Sequence, residues 1–529
     1  MLDAAAELAD GRRPENARLS RPPKPDFGDY SSNAPMLLAP LLGDSPRAVA
    51  ERLSAVVTER LGPDLERVEV AGPGFLNLFM SESWFRGALA ATTAAGDGYG
   101  RGHPAQPERI QVEFVSANPT GPANAATGRH AAYGDSLARI LSFVGHEVQR
   151  EYYVNDYGSQ VRRFGESIRA RARGEDPPDD GYQGDYVVDL AQRIDGAAAL
   201  DPDVLARRGV ELMIDEVRTT LVRYRVSFDR FFSERDLHET GAVDRAIELL
   251  REHGHVYESD GALWMRTSAL GDDKDRVLRR STGEETYFAS DIAYHEDKRE
   301  RGFDRVIDVW GADHHGHVAR MMAVWEALGG DRDRLELLIM QLVNLLEDGR
   351  LAKFSKRKGE FVSLDDLIDD IGVDAARFFM LQRSHDTTLD LDLKLAREQS
   401  QENPVYYVQY AHARIASILR KGGSSRVDEA VAADLVAAAR EEPLHPSASA
   451  LLKQLLEFPE EVRLAAERRA PHRLTAYSLE VARSFSAFYR DCQVVGGDDE
   501  DFRIALSVQT RRVIARALDL LGVEAPESM

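Results

Sequence analysis

The sequence predicts an α/β protein whose central part contains a parallel β-sheet. Residues 109–154 follow the order strand, loop, helix, strand, with a short return to the second strand. Residues 305–328 again place a polar loop and an amphipathic helix after a strand. A strand–helix–strand unit with a short return holds its two strands parallel in one sheet. The length of 529 residues allows three or so domains at roughly 100–200 residues each.

The first unit begins with RIQVEFV at 109–115, in which apolar side chains alternate as in a strand. SANPTGP follows as a loop because of its Asn-Pro and Gly-Pro pairs. The next segment, up to Gly145, has helical spacing, and VQREYYV at 148–154 predicts the next strand. Ligands of such sheets bind beyond the carboxyl ends of the strands. The loops SANPTGP and GADHHGH therefore predict the position of a site.

The rest of the chain divides around this α/β part. Residues 1–100 form an opening α+β module that ends in a glycine- and proline-containing linker. The α/β part covers residues 101–385 and includes a predicted helical insertion over about 160–275. Residues 386–529 predict helices, interrupted near KGGSSR at 421–426.

Composition limits the class of protein. The hydrophobic fraction of 43% and the charged fraction of 29% are ordinary for a globular protein. No apolar run approaches the ~18 residues of a membrane span, and the first residues lack a basic leader. The single cysteine, Cys492, allows no internal disulfide and is expected to be buried. These features predict a cytoplasmic protein that does not bind membranes.

The net charge of −22 argues against bulk nonspecific binding to nucleic acid, but it does not exclude specific binding through local basic patches. Only nine of the 67 Lys and Arg residues are lysine, and three of them lie in KFSKRKG at 353–359. A lysine ammonium is a compact, mobile charge that suits a phosphate. The alternative is a solvated basic loop. The segment is not a Walker A loop.

KFSKRKG resembles the Lys-Met-Ser-Lys-Ser signature of class I aminoacyl-tRNA synthetases, with Phe354 and Arg357 at the methionine and last serine places. Further segments along the chain resemble the arginyl-tRNA synthetase family: VEFVSANPTGP, GDSLARIL, YVNDYGSQ, YFASDIAYH, WGADHHGHVAR, GVDAARFFML and NPVYYVQYAHARI. Both ends match as well, through DFGDYSSN, VAGPGFLNLFMS and the closing FYRDCQVVG and ALDLLGVEAPESM. The resemblance thus covers nearly the whole chain, in order.

The resemblance implies a Rossmann-like catalytic domain between an N-terminal tRNA-recognition module and an all-α anticodon-binding domain. It also implies the reaction, in which L-arginine and ATP with Mg²⁺ give arginyl-adenylate, and the arginyl group then passes to tRNA(Arg). A monomer with no DNA partner is expected. Three alternatives remain: a class I synthetase for another amino acid, a non-catalytic tRNA-binding paralogue, and a ligase that acts on another acceptor.

One departure from the family concerns its His-x-Gly-His signature, whose four positions here read Asn124, Ala125, Ala126 and Thr127. Side chains of Asn and Thr can also donate hydrogen bonds. The sequence therefore predicts ATP binding by Asn124, Thr127, Gly128 and His130, of which His130 falls where the family usually has glycine. Loss of both imidazoles is the feature that would fit the non-catalytic paralogue.

The remaining site residues follow from the resemblance. Lys353, Ser355 and Lys356 are expected to act on the ATP phosphates. The residues expected to bind arginine are Glu113, Asn118, Tyr287, Asp291 and His314. A guanidinium offers five donors and a fixed charge, so carboxylates and a phenol suit it. Asp291 has the alternative of a helix N-cap.

Two further features leave alternatives open. His314, His315 and His317 with Asp313 invite a metal interpretation, but their spacing is poor for one ion, and no protein-bound metal is expected. Tyr407 and Tyr410 fall in the segment that resembles the family's anticodon-facing helix, where aromatic rings stack on RNA bases. At a spacing of three residues, they equally fit a helical core.

Overall fold

In the computed structural model, the described residues are 1–14, 16–22, 24–352, 362–439 and 443–529. The chain opens with a four-stranded antiparallel sheet of order β1-β2-β4-β3, covered by helices. The elements of this region are α1 (Leu2–Leu8), β1 (Leu19–Ser20), β2 (Tyr30–Ser32), α2 (Ala34–Leu42), α3 (Pro46–Leu61), β3 (Leu65–Ala71), β4 (Phe75–Met80) and α4 (Glu82–Ala94).

The centre of the molecule is a five-stranded sheet of order β12-β11-β5-β6-β7 in which all neighbours are parallel. Its strands are β5 (Arg109–Glu113), β6 (Glu147–Val154), β7 (Arg230–Ser233), β11 (Arg305–Gly311) and β12 (Leu335–Met340). Strand β5 is followed by α5 (Ala125–Phe143), β7 by α9 (Glu234–Glu239) and β11 by α12 (Val318–Ala327). The predicted α/β class with a parallel sheet is confirmed.

The unit β5–α5–β6 packs tightly because α5 carries a glycine where it meets the sheet. A Cβ at Gly134 would lie 2.1 Å from Cγ of Phe114, so only glycine allows this approach. Strand β5 ends two residues before the predicted limit. Val115 and Ser116 have φ of 71° and 42°, and this left-handed backbone turns the chain out of the sheet.

The predicted helical insertion over about 160–275 is only partly helical. It begins with α6 (Ser159–Ala172), α7 (Asp185–Arg193) and α8 (Pro202–Arg223). The chain then returns to the central sheet as β7, and after α9 and α10 (Ala242–Glu252) it forms an antiparallel sheet of β8 (Val256–Ser259), β9 (Ala262–Met265) and β10 (Arg276–Arg279). These strands of four residues are too short to give a clear alternating pattern.

The remaining elements complete the α/β part and add the C-terminal helices. Between β10 and β11 lies α11 (Tyr287–Glu300), and after β12 come β13 (Val343–Glu347), β14 (Arg350–Leu351), α13 (Leu364–Met380), β15 (Leu389–Asp392) and α14 (Leu393–Arg397). The end of the chain is helical: α15 (Pro404–Gly422), α16 (Ser424–Ala432), α17 (Pro446–Leu456), α18 (Phe458–Glu467), α19 (His472–Asp491) and α20 (Glu500–Leu520).

A buried arginine joins the central part to these helices. Arg377 on α13 is fully buried, and its guanidinium donates to the carbonyl oxygens of Leu521 (2.9 Å) and Tyr224 (3.0 Å) and to Oδ2 of Asp135 (2.6 Å). These acceptors belong to the end of α20, the end of α8 and the middle of α5. The apolar core is continuous over all three regions.

Within the described ranges, no helix is both long and apolar enough to cross a membrane.

Candidate active site

A cleft of about 710 Å³ opens at the carboxyl ends of β5, β6, β7 and β11. This is the edge at which parallel α/β sheets bind ligands. The cleft brings together most of the predicted site residues: Glu113, Asn118, Asn124, Thr127, His130, Tyr287, Asp291 and His314. Segments that are almost 200 residues apart in the sequence therefore meet in one place.

One end of the cleft is acidic. Asp291 lies in the first turns of α11, and Glu234, which directly follows β7, is 2% exposed. Among the described residues, neither carboxylate forms an ion pair with Lys or Arg. Asp291 was predicted from the sequence, whereas Glu234 was missed because its short strand was assigned to the helical insertion. The sequence feature that could have indicated Glu234 is a carboxylate directly after a strand of the central sheet.

Both carboxyl groups are costly to ionise, and the charge of Asp291 adds to the cost for Glu234. Burial raises the pKa of Asp291 to about 6, and burial together with the charge of Asp291 raises the pKa of Glu234 to about 8. Desolvation disfavours a charged carboxylate, and a second carboxylate nearby adds to this effect. The arrangement is suited to a cationic ligand, which would stabilise both charged forms.

Glu113 is also in the cleft, but both of its oxygens have partners within the protein. Oε2 accepts from Nζ of Lys298 at 2.6 Å, and Oε1 accepts from Oγ of Ser116 at 2.8 Å. Lys298 bonds Oδ1 of Asp308 as well, at 2.7 Å. Glu113 therefore belongs to a compensated ionic group, in contrast to Asp291 and Glu234.

The start of α6 lies along the mouth of the cleft. Nδ2 of Asn118 donates to Oε1 of Gln160 at 3.0 Å, and the hydroxyl of Tyr287 lies 3.4 Å from Oγ of Ser159. Tyr287 is 58% exposed. Asn118 and Tyr287, which both line the cleft, thus both contact the first turn of α6.

The other end of the cleft contains the N-terminus of α5, where the altered signature lies. Asn124 is the N-cap, and its Oδ1 accepts from the backbone N–H of Thr127 at 2.9 Å and from the Thr127 hydroxyl at 3.2 Å. The Thr127 hydroxyl is therefore already used. Among the described residues, the Asn124 amide and the N–H of exposed Ala126 have no hydrogen-bond acceptor, and the first N–H groups of a helix favour anions.

Lys353, Ser355 and Lys356 lie outside the described residues. The described chain resumes at Val362, whose carbonyl oxygen accepts from the N–H of Ala125 at 3.2 Å. Asn124 and Ser363 pair as an antiparallel bridge. The segment that follows KFSKRKG is therefore held against the first turn of α5.

Gly128 and His130 occupy different surroundings. Gly128 is not among the residues that line the cleft, and a Cβ there would lie 2.7 Å from Cδ1 of Leu364 on α13. His130 lines the cleft beside Val309, and burial lowers its pKa to about 4, so the ring is neutral at neutral pH.

Between them, Arg129 fixes the helix in place. This buried guanidinium donates to the carbonyl oxygens of Gln341, Leu342, Ser384 and Thr387 at 2.6–3.0 Å.

His314 lies on the 3₁₀ turn Ala312–His317 after β11, with its side chain 49% exposed. Its Nδ1 is 3.2 Å from Oδ1 of Asp313, and its ring is 5.9 Å from that of Trp310. No group of three or more His, Cys, Asp or Glu side chains within the described ranges has the geometry of a metal site.

The two tyrosines of α15 differ. The Tyr407 hydroxyl donates to Oγ of Ser486 at 3.0 Å, and its ring packs against the core. Tyr410 stacks on Tyr406, with ring centroids 6.2 Å apart, and its hydroxyl accepts from Arg414 at 2.7 Å. Tyr410 thus joins an aromatic and cationic surface, whereas Tyr407 is half-buried and held against α19 through Ser486.

Three family models match this chain. An arginyl-tRNA synthetase N-terminal domain matches residues 1–80, a class I (R) tRNA synthetase catalytic domain matches residues 196–416, and a DALR anticodon-binding domain matches residues 408–529. Together they assign the parts of the chain to the three kinds of domain that the sequence predicted.

Full-length relatives agree with these matches. The chain is 47% identical to arginine–tRNA ligase of Clavibacter sepedonicus, over 98% of this chain and 95% of that protein. It is 42% identical to arginine–tRNA ligase of Bacillus subtilis, over 99% and 96% of the two chains. The solved structure of Thermus thermophilus arginyl-tRNA synthetase superposes with a TM-score of 0.78 at 25% identity, covering 100% of this chain and 99% of that one. The chain belongs to the arginyl-tRNA synthetase family.

Proposed function

We propose that the cleft is the site at which this chain, as an arginine–tRNA ligase, activates L-arginine with ATP before transfer to tRNA. The observation that carries the proposal is the acidic pair at the end of the cleft, in which Glu234 is buried and Asp291 is half-buried, and which has no Lys or Arg ion-pair partner among the described residues. A guanidinium would supply the missing positive charge with up to five hydrogen-bond donors.

In this proposal, arginine enters with its guanidinium toward Asp291 and Glu234. Tyr287 offers a phenol at the rim, and Glu113 and Asn118 meet the α-amino end. His314, on the turn after β11, adds a polar contact near the same end. The orientation leaves the α-carboxylate of arginine free to approach the nucleotide.

The nucleotide is proposed to bind with its phosphates toward the N-terminus of α5. Asn124 and the backbone N–H of Ala126 supply donors there, and Lys353, Ser355 and Lys356 are proposed to supply the rest. Support for the lysines comes from the sequence KFSKRKG and from the attachment of Val362 to Ala125. Mg²⁺ is proposed to enter with ATP, since this ion is held chiefly by substrate phosphates.

Catalysis would then consist of positioning and charge stabilisation. The arginine carboxylate attacks the α-phosphorus of ATP, the bond to the β-phosphate oxygen breaks, and pyrophosphate leaves. Fixed donors and lysine charges stabilise the negative charge that develops. No side-chain nucleophile takes part. The arginyl group is then transferred to a ribose hydroxyl at the end of the tRNA.

We further propose the division of the chain into residues 1–100, 101–385 and 386–529, with tRNA contacts in the first and last parts. Tyr410 would contact RNA directly, and Tyr407 would support it from the core. We also propose that the protein is a monomer that acts on tRNA and not on DNA. Its place in the cytoplasm is consistent with the single cysteine, which is buried and free.

Aminoacylation of total tRNA with L-arginine tests the proposal. Arginyl-tRNA should form only when ATP and tRNA(Arg) are present. A chain that binds tRNA but forms neither adenylate nor arginyl-tRNA would instead be the non-catalytic paralogue. No observation on this chain favours that alternative apart from the altered signature.

A further inference from the structure

Behind the cleft lies a buried ionic group that reaches the cleft through Glu113. Glu113 on β5 and Asp308 on β11 are direct neighbours in the parallel register, and both side chains are buried. Two carboxylates in this position repel one another at short range. Lys298, on α11, lies between them with its side chain fully buried and within 2.6–2.7 Å of one oxygen of each.

The charge of Lys298 is retained in this position. Burial alone would lower its pKa, but the charges of Asp308 and Glu113 outweigh burial and raise it. The second oxygen of Asp308 lies 3.1 Å from Nε2 of His295. Each oxygen of the two carboxylates thus has a hydrogen-bond partner, as buried charges require.

The choice of residue is informative as well. The chain uses lysine at only nine of its 67 Lys and Arg positions. A single ammonium can bond both carboxylates from a narrow space, whereas a planar guanidinium needs more room. Glu113 is then held by Lys298 on one oxygen and by Ser116 on the other.

We propose, on the basis of the function proposed above, that Lys298 is a positioning residue that sets the orientation of arginine in the cleft. It cancels one negative charge at the Glu113 end, and the Asp291–Glu234 end remains uncompensated. The guanidinium carries a full positive charge and binds the uncompensated end. The α-amino and α-carboxylate groups together carry no net charge and bind the compensated end.

The test compares arginine with agmatine, the analogue that lacks the α-carboxylate and is positive at both ends. The full-length enzyme is assayed by tRNA-dependent pyrophosphate exchange, which gives the KM of arginine and the inhibition constant of agmatine. Lys298→Met adds one negative charge to the Glu113 end. The ratio of the inhibition constant of agmatine to the KM of arginine should therefore fall at least ten-fold.

Two further variants separate charge from structure. Asp308→Asn makes the charge of the group more positive by one unit. The ratio of the inhibition constant of agmatine to the KM of arginine should therefore rise by a similar factor. The double variant Lys298→Met/Asp308→Asn restores the parental charge, and the ratio should return toward the parental value. A purely structural role predicts instead that the variants weaken arginine and agmatine alike, so that the ratio of the two constants stays at the parental value.

The outcomes are distinct. Opposite shifts of the ratio in the two single variants support the proposal, and an unchanged ratio in both overturns it. If Lys298→Met does not fold, Asp308→Asn and the double variant still distinguish a positioning role of Lys298 from a purely structural one. If the parent enzyme shows no exchange with arginine and tRNA, the function proposed above fails, independently of the role of Lys298.

Discussion

Two acidic pairs lie at or behind the cleft, and they differ in whether the protein supplies a cation for them. Glu113 and Asp308 share the ammonium of Lys298, whereas Asp291 and Glu234 have no lysine or arginine partner in the described part of the chain. Burial raises the pKa of Asp291, of Glu234 and also of Glu113, whereas Asp308, beside Lys298, has a lowered pKa, so the two pairs differ by their partners and not by the direction of every shift. The compensated pair is complete without a ligand. The uncompensated pair is completed only by a cation from outside.

This difference separates a structural ion group from a binding site more clearly than residue type does. All four groups are carboxylates close to the end of a strand or the start of a helix. Burying a charge is costly unless it is paired, and without a ligand the protein meets this cost by keeping Glu234 protonated at neutral pH. Perturbed acidic groups in a cleft are typical of binding sites. Substitution of these carboxylates, and a change of pH, can test this difference.

Replacing Asp291 by asparagine should abolish the uncompensated pair. Loss of one partner of a buried charge pair costs roughly 3–5 kcal/mol, so kcat/KM for arginine should fall by several hundred-fold or more, with little change in ATP affinity. The matched control is Glu300→Gln, an exposed acid on the same helix. A folded Asp291→Asn enzyme with parental arginine kinetics would contradict the assignment.

Glu234→Gln should also weaken the binding of arginine, but it should increase the stability of the protein without ligand. In the folded state Glu234 has a pKa of about 8, above its ordinary 4.5, so its contribution to stability is lost as pH rises through about 8. The variant should therefore bind arginine at least ten-fold more weakly but melt at a higher temperature than the parent at pH 8. A lower melting temperature at pH 8 would be the contrary result.

The pH dependence of arginine binding should report the same pair. Asp291 and Glu234 take up protons below about 6 and about 8, so kcat/KM for arginine should rise between these values. Near pH 7, binding should release close to one proton, chiefly from Glu234. Calorimetry in buffers of different ionisation enthalpy measures this release. Glu234→Gln should remove most of it.

The smallest effects are expected at the nucleotide end, which the acidic pairs do not reach. Thr127→Val removes a hydroxyl that is bonded to Asn124, so adenylate formation should slow by less than ten-fold. Asn124→Ala removes both an N-cap, worth about 1 kcal/mol, and a free amide donor, and should slow it more. Arginine KM should not change in either variant. If Thr127→Val slowed adenylate formation more than Asn124→Ala does, the Thr127 hydroxyl would have to contact the ATP phosphates.

The sequence predicts much of this molecule because its clearest signals are local. The unit from β5 to β6 follows from alternating apolar residues, the Asn-Pro and Gly-Pro pairs and the helical spacing that ends at Gly145. Asp291 and Tyr287 follow from the resemblance of one short segment. In these places local preference and tertiary structure agree.

Other features lack a local signal. Strand β7 has four residues, and Glu234 was missed together with it. The burial of Lys298 depends on two carboxylates at sequence positions 113 and 308, which only the sheet brings together. The use of the Thr127 hydroxyl by Asn124 likewise depends on the geometry of one helix turn. Long-range pairs and short strands are beyond what periodicity can indicate.

The bonds of Arg377 have a consequence for the way the chain melts. Its guanidinium spans the end of the last helix, the end of α8 and Asp135 on α5, and a Cβ at Gly522 would lie only 2.2 Å from it. If the C-terminal helices separated while the α/β part stayed folded, a buried guanidinium would lose its acceptor at Leu521. Partial unfolding at this junction is therefore costly. Calorimetric heating of this large protein should give one cooperative transition for these two regions, and not one transition for each domain.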